Sequence, residues 1–174
     1  WGAETEVRPR AGTVVEAVLQ SALTGGEVRY RVYLPPCYAT SGLRYPVVVM
    51  LHGLGAGMDD TQWHRMGLDV AATEGFVAGS LPPMIIVMPN GNDAQYDYDP
   101  GPFPRVIVEE LLPQIEASTC TWNTPTTRAI GGLSRGGYWA YAIAFLNPGL
   151  FGRAGAHSGF FYEGDYPQAN PYDM

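Results

Sequence analysis

The sequence predicts a three-layer α/β protein, with a sheet of mainly parallel strands, helices on both faces and an antiparallel hairpin leading in. Three observations carry this prediction. Val47 to Leu51 and Met84 to Met88 are continuously apolar, as strands covered on both faces must be. A helix-sized segment separates them, which makes a βαβ unit and therefore a parallel pair. Ahead of both, an alternating stretch flanks a Gly-Gly turn.

The elements follow in order. Thr13 to Ser21 reads as a strand and Gly25-Gly26 as the turn. Val28, Tyr30, Val32 and Leu34 then alternate with Arg29, Arg31 and Tyr33, which predicts one buried face and one wet face up to Pro35-Pro36. After the first buried strand, Asp59 to Gly75 reads as one helix carrying Trp63, Met66, Leu68, Val70 and Ala71. Asn90 to Pro104, rich in Gly, Asp, Tyr and Pro, is a loop. Arg105 to Ser118 is a helix with Ile107, Leu111 and Ile115 on one face and a kink at Pro113. Thr127 to Gly131 is a short strand, and Gly136 to Leu146 is a helix stopped by Asn147-Pro148. Arg153 to His157 is the last strand. Residues 1–174 are expected to form a single domain cut short at its C-terminal end, with the final strand-helix units lacking.

Composition narrows the function. Ten arginines, no lysine and seventeen acids give a net charge of −7 with no basic stripe, so neither nucleic acid nor an anionic membrane is an expected partner. No apolar run reaches the length of a bilayer-spanning helix. The three histidines and two cysteines show no metal-ligand spacing, so no metal or other cofactor is expected. Cys37 and Cys120 are either two buried thiols or one disulfide at the sheet end away from the site; the residues leave both open.

The chemistry sits in Gly132-Leu133-Ser134-Arg135-Gly136, a G-x-S-x-G run between a predicted strand and a predicted helix. A serine at such a turn is lifted above the carboxyl end of the sheet, at a helix N-terminus that favours a developing oxyanion. Ser134 is the candidate nucleophile. An oxyanion hole needs two backbone N–H groups, one after the nucleophile and one from the loop after the first parallel strand. Arg135 and Leu54, the latter in Leu51-His52-Gly53-Leu54-Gly55, fill these places.

Other residues are weighed against ordinary structural duties. His52 precedes the oxyanion glycine and reads as a loop-fixing residue with a buried hydrogen bond. His64 reads as a surface or rim residue, and His157 as a packing residue near the pocket mouth. Trp63, Tyr96, Tyr98 and His157 are the candidate substrate-binding residues, with Asp97 and Asp99 in the same acidic aromatic loop.

Four segments, 45–53 (YPVVVMLHG), 86–91 (IVMPNG), 109–116 (EELLPQIE) and 131–137 (GGLSRGG), resemble in order the α/β-hydrolase "putative esterase" group. That group includes feruloyl and acetyl-xylan carbohydrate esterases, the esterase D type and the mycolyl transferases. The resemblance runs from about Val28 to about Phe161. It implies a serine carboxylic-ester hydrolase that forms an acyl-enzyme at Ser134, with Leu54 and Arg135 as oxyanion donors; it does not fix the substrate, for which acyl or feruloyl esters of carbohydrates are the candidates. An extracellular location is expected on the same ground and from the cysteine pair. The group's order of Ser, then acid, then His is not met, because no Asp or Glu lies between Ser134 and His157. The acid and base are therefore expected from a missing C-terminal segment or a second chain. An acyltransferase of the same fold and a non-catalytic binding module are the alternatives.

Overall fold

Successive side chains of a strand point to opposite faces of the sheet, so a fully apolar strand needs a cover on each side. The computed structural model of the chain, which describes residues 11–91, 101–159 and 161, supplies both covers. In chain order the elements are β1 (Thr13–Ser21), β2 (Gly26–Leu34), α1 (Tyr38–Ser41), β3 (Val47–Leu51), α2 (Gln62–Arg65), α3 (Leu68–Val77) and β4 (Ile85–Pro89). Then follow α4 (Phe103–Arg105), a π-helical turn (Val106–Leu111), α5 (Leu112–Ser118), β5 (Arg128–Leu133), α6 (Arg135–Leu146) and β6 (Arg153–His157).

The six strands lie in the order β1-β2-β4-β3-β5-β6. β2 is antiparallel to β1 and to β4, whereas β4-β3-β5-β6 are mutually parallel. Val47, Val49, Leu51, Ile85, Val87 and Ile130 face one layer, packed on Val106, Ile107, Leu111, Ile115, Tyr138, Trp139 and Ile143. Ile86 and Met88 face the other layer with Tyr33, against Trp63 and Ala72. The α2–α3 pair thus covers one face, and the π-turn with α5 and α6 covers the other.

Three expectations are corrected. The helix expected over residues 59–75 is two helices, because Gly67 adopts φ 80° and breaks the run between α2 and α3. The face of β2 expected to be wet is exposed at Arg29 but covered further along, where Tyr33 is 1% exposed. Arg31 on that face is engaged by Glu16 at 2.7 Å and Asp60 at 3.0 Å. β2 lies inside the sheet beside β4, so its second face also receives a helix layer. The helix expected over residues 105–118 is not uniform around Pro113. The misfit is absorbed upstream as the π-turn, where the Leu112 N–H reaches the Ile107 carbonyl.

Cys37 and Cys120, expected as buried thiols or a disulfide, are both exposed free thiols. The segments carrying them are tied by Tyr38, whose hydroxyl accepts the Cys120 N–H at 2.8 Å. Among the described residues, no helix is long and apolar enough to cross a membrane, and no three His, Cys, Asp or Glu side chains gather as metal ligands.

Candidate active site

β5 runs to Leu133, one residue short of the serine, and α6 starts at Arg135, one residue after it. Ser134 alone makes the turn, with φ 53° and ψ −115°. Such a conformation costs a non-glycine residue about 1–3 kcal/mol and persists only where the surroundings enforce it. The surroundings here are backbone. A Cβ on Gly132 would lie 2.3 Å from the Gly136 carbonyl, and a Cβ on Gly136 would lie 2.4 Å from the carbonyl oxygens of both Leu51 and His52. The glycines two places before and after Ser134 are therefore required by contact between main chains. The Ser134 N–H donates to the His157 carbonyl at 2.8 Å, which ties the turn to β6. Its carbonyl accepts the Tyr138 N–H at 3.1 Å and opens the α6 ladder.

The loop after β3 meets this turn at the same end of the sheet. His52 is buried, and both ring nitrogens are engaged by backbone. Nε2 accepts the Gly91 N–H at 2.9 Å. The proton is therefore on Nδ1, which donates to the Gly53 carbonyl at 2.7 Å. Burial pushes this imidazole below its usual range, so it is neutral at neutral pH, against weaker opposing effects from the Gly53 carbonyl, Asp59 and Asp60. His52 thus fastens the β3 loop to the β4 loop, as a loop-fixing residue does. The Gly53 N–H is also engaged, by Gln62 Oε1 at 2.7 Å. The Leu54 N–H has no acceptor among the described residues, and the residue is 41% exposed. Arg135 opens α6 with its side chain buried.

The predicted binding residues are placed differently from one another. Trp63 is inside: it is 7% exposed, its indole N–H donates to the Leu51 carbonyl at 3.0 Å, and it packs with Tyr33, Ile86 and Met88. Its ring meets the His157 imidazole edge-on, with centroids 5.9 Å apart. His157 itself is exposed at the end of β6. Tyr96, Tyr98, Asp97 and Asp99 lie outside the described residues. His64 is on the surface, paired with Asp69 at 3.0 Å. Among the described residues, no hydrogen bond joins Ser134 Oγ to His52, whose ring nitrogens are engaged by backbone, or to His157.

Two functional-looking contacts escape sequence reasoning. Gln62 reaches back nine residues to the loop glycine. Asp60, 7% exposed, anchors the same turn to β2 through Arg31. The only local sign was the predicted helix start near Asp59, which carries no information about where a glutamine side chain ends.

With this geometry in place, comparison with known proteins is informative. Residues 21–169 match the family described as "Putative esterase". An esterase of Mycobacterium tuberculosis is 35% identical over 147 residues, covering 80% of this chain and 31% of that protein. An endo-1,4-beta-xylanase/feruloyl esterase of Xylanibacter ruminicola is 31% identical over 162 residues, covering 87% of this chain and 22% of that protein. The solved structure of a ferulic acid esterase superposes with a TM-score of 0.77 at 25% identity, covering 85% of this chain and 59% of that one. The chain thus spans less than a third of the length of either of these two relatives.

Proposed function

The chain belongs to the "Putative esterase" family of α/β-hydrolase folds, and on that premise we propose that it carries the acylation site of a serine carboxylic-ester hydrolase. Ser134 Oγ attacks the ester carbonyl while a base removes its proton. The carbonyl oxygen, now an anion, is received by the N–H groups of Leu54 and Arg135. Collapse expels the alcohol, which takes the proton from the base, and leaves an acyl-enzyme. Water, activated by the same base, then releases the acid and restores the serine. The base and its acid partner come from outside the described residues, because both nitrogens of His52 are already committed and no hydrogen bond joins Ser134 Oγ to His157. A further segment or a second chain seated beside β6 would supply them.

The substrates in this reading are acyl or feruloyl esters of carbohydrates. The feruloyl esterase relative and the ferulic acid esterase structure support that class. The observation that carries the reading is the strained Ser134 backbone, held at a strand-to-helix junction by glycines that main-chain contact requires. The test is a fluorophosphonate probe on the full chain, with the modified peptide mapped by mass spectrometry. Label is expected on Ser134 and lost in Ser134→Ala, together with hydrolysis of p-nitrophenyl acetate and methyl ferulate. Undiminished turnover by Ser134→Ala would sink the proposal.

A further inference from the structure

We infer that Gln62 is a positioning residue for the oxyanion hole, aligning the Leu54 N–H with the donor on the Ser134 turn. The inference rests on the esterase reading above. A trans peptide points its N–H and C=O in opposite directions across one plane. The Leu54 N–H therefore shares a plane with the Gly53 carbonyl, and the Gly53 N–H shares the preceding plane with the His52 carbonyl. Gly53 joins the two planes as a pivot with no side chain to restrain it.

Each plane is held by one buried side chain. His52 Nδ1–H holds the Gly53 carbonyl at 2.7 Å, and Gln62 Oε1 holds the Gly53 N–H at 2.7 Å. The second contact reaches further than the first. The His52 carbonyl on the plane that Gln62 holds lies against Gly136, where even a methyl group would stand 2.4 Å from it. That plane is gripped between Gln62 on one side and the start of α6 on the other. Rotating the Gly53 N–H away from Gln62 would swing the His52 carbonyl relative to α6, and the Leu54 and Arg135 amides would lose their mutual alignment. Gln62 also keeps the Gly53 N–H from acting as a rival donor one residue before the intended one.

The glutamine is itself anchored. It is 3% exposed at the start of α2. Its neighbour Trp63 donates to the Leu51 carbonyl at 3.0 Å, and Asp60 accepts from Arg31 at 3.0 Å. A donor aimed before the charge develops stabilises the transition state without reorganisation, so a loose donor lowers kcat rather than substrate affinity.

The experiment measures kcat and KM for p-nitrophenyl acetate, and Ki for phenylboronic acid, which forms a tetrahedral adduct on a serine. Gln62→Met in the full chain keeps the length and removes the acceptor. It is expected to lower kcat by about 10- to 100-fold, less than the loss of a whole oxyanion donor. KM should stay close to wild type, and Ki should rise in step with the fall in kcat. An unchanged kcat in the folded variant, or a change confined to KM, overturns the inference. Thermal melting reports folding. Should Gln62→Met not fold, Gln62→Asn, which keeps the amide but falls one methylene short, carries the same expectations. Ser134→Ala separates the two claims: activity surviving that change removes Ser134 as the nucleophile, whereas activity lost there but intact in Gln62→Met removes only the role of Gln62.

Discussion

The turn at Ser134 and the loop at Leu54 meet at one end of the sheet, yet they are held in opposite ways. The turn is enforced by backbone alone. Gly132, Gly136 and the carbonyls of Leu51 and His52 lie so close that no side chain fits between them. The loop is held by side chains, its own His52 bridging to Gly91 and Gln62 reaching Gly53 across nine residues. A turn fixed by main-chain contact tolerates almost no substitution at its glycines and ignores solution conditions. A loop fixed by side chains can be tuned, loosened or titrated.

This contrast sets the size of each expected effect. Gly136→Ala attacks the backbone contact directly. A methyl group 2.4 Å from two carbonyl oxygens cannot be absorbed by a rotamer change, so activity should vanish and stability should fall by about 1–3 kcal/mol. Chemical denaturation together with probe labelling of Ser134 checks both; a stable, labelled Gly136→Ala would break the claim of a contact-enforced turn. Leu54→Pro comes next, because it deletes the proposed donor N–H. It should lower kcat by about 10²–10³-fold, whereas Leu54→Ala should leave kcat nearly unchanged. Equal losses in the two variants would assign Leu54 a side-chain role instead.

The smallest effect belongs to His52 and depends on pH. The folded imidazole is held neutral below its usual range, and the unfolded one takes its proton near pH 6.5. The unfolded state therefore binds more protons as pH falls below that value, and stability is lost until the folded group also titrates. Above pH 6.5 the contribution is fully present. Urea midpoints measured across mildly acidic pH should decline, and the decline should flatten in His52→Gln. An identical slope in that variant would mean another group is responsible.

The same contrast explains what the sequence could reveal. The parallel strands were legible because Val47 to Leu51 and Met84 to Met88 are apolar throughout, and burial on both faces leaves no other composition. The Ser134 turn was legible because contact between main chains demands glycine, and glycine is visible in a sequence. Leu54 and Arg135, the proposed donors, follow from the same local pattern. Gln62 could not, because a long side chain can end anywhere within its reach. Trp63 reads from the sequence as a candidate substrate-binding residue, but its indole N–H is spent on the Leu51 carbonyl inside the α2 layer. The reading of β2 as wet on one face holds at Arg29 and fails at Tyr33 for a related reason. Arg31 and Tyr33 look solvent-facing until the strand is known to lie inside the sheet under helices.

The bond from the Ser134 N–H to the His157 carbonyl has a kinetic consequence. Among the described residues β6 forms the edge of the sheet, and its side chains are exposed or half-exposed along its whole length. Such a strand opens readily, and each opening frees the Ser134 amide to exchange with solvent deuterium. The exchange rate of that one amide is thus a clock for the edge. Anything that pairs with β6 should slow it, so the serine's own backbone would report the arrival of its neighbour before any ester is cleaved.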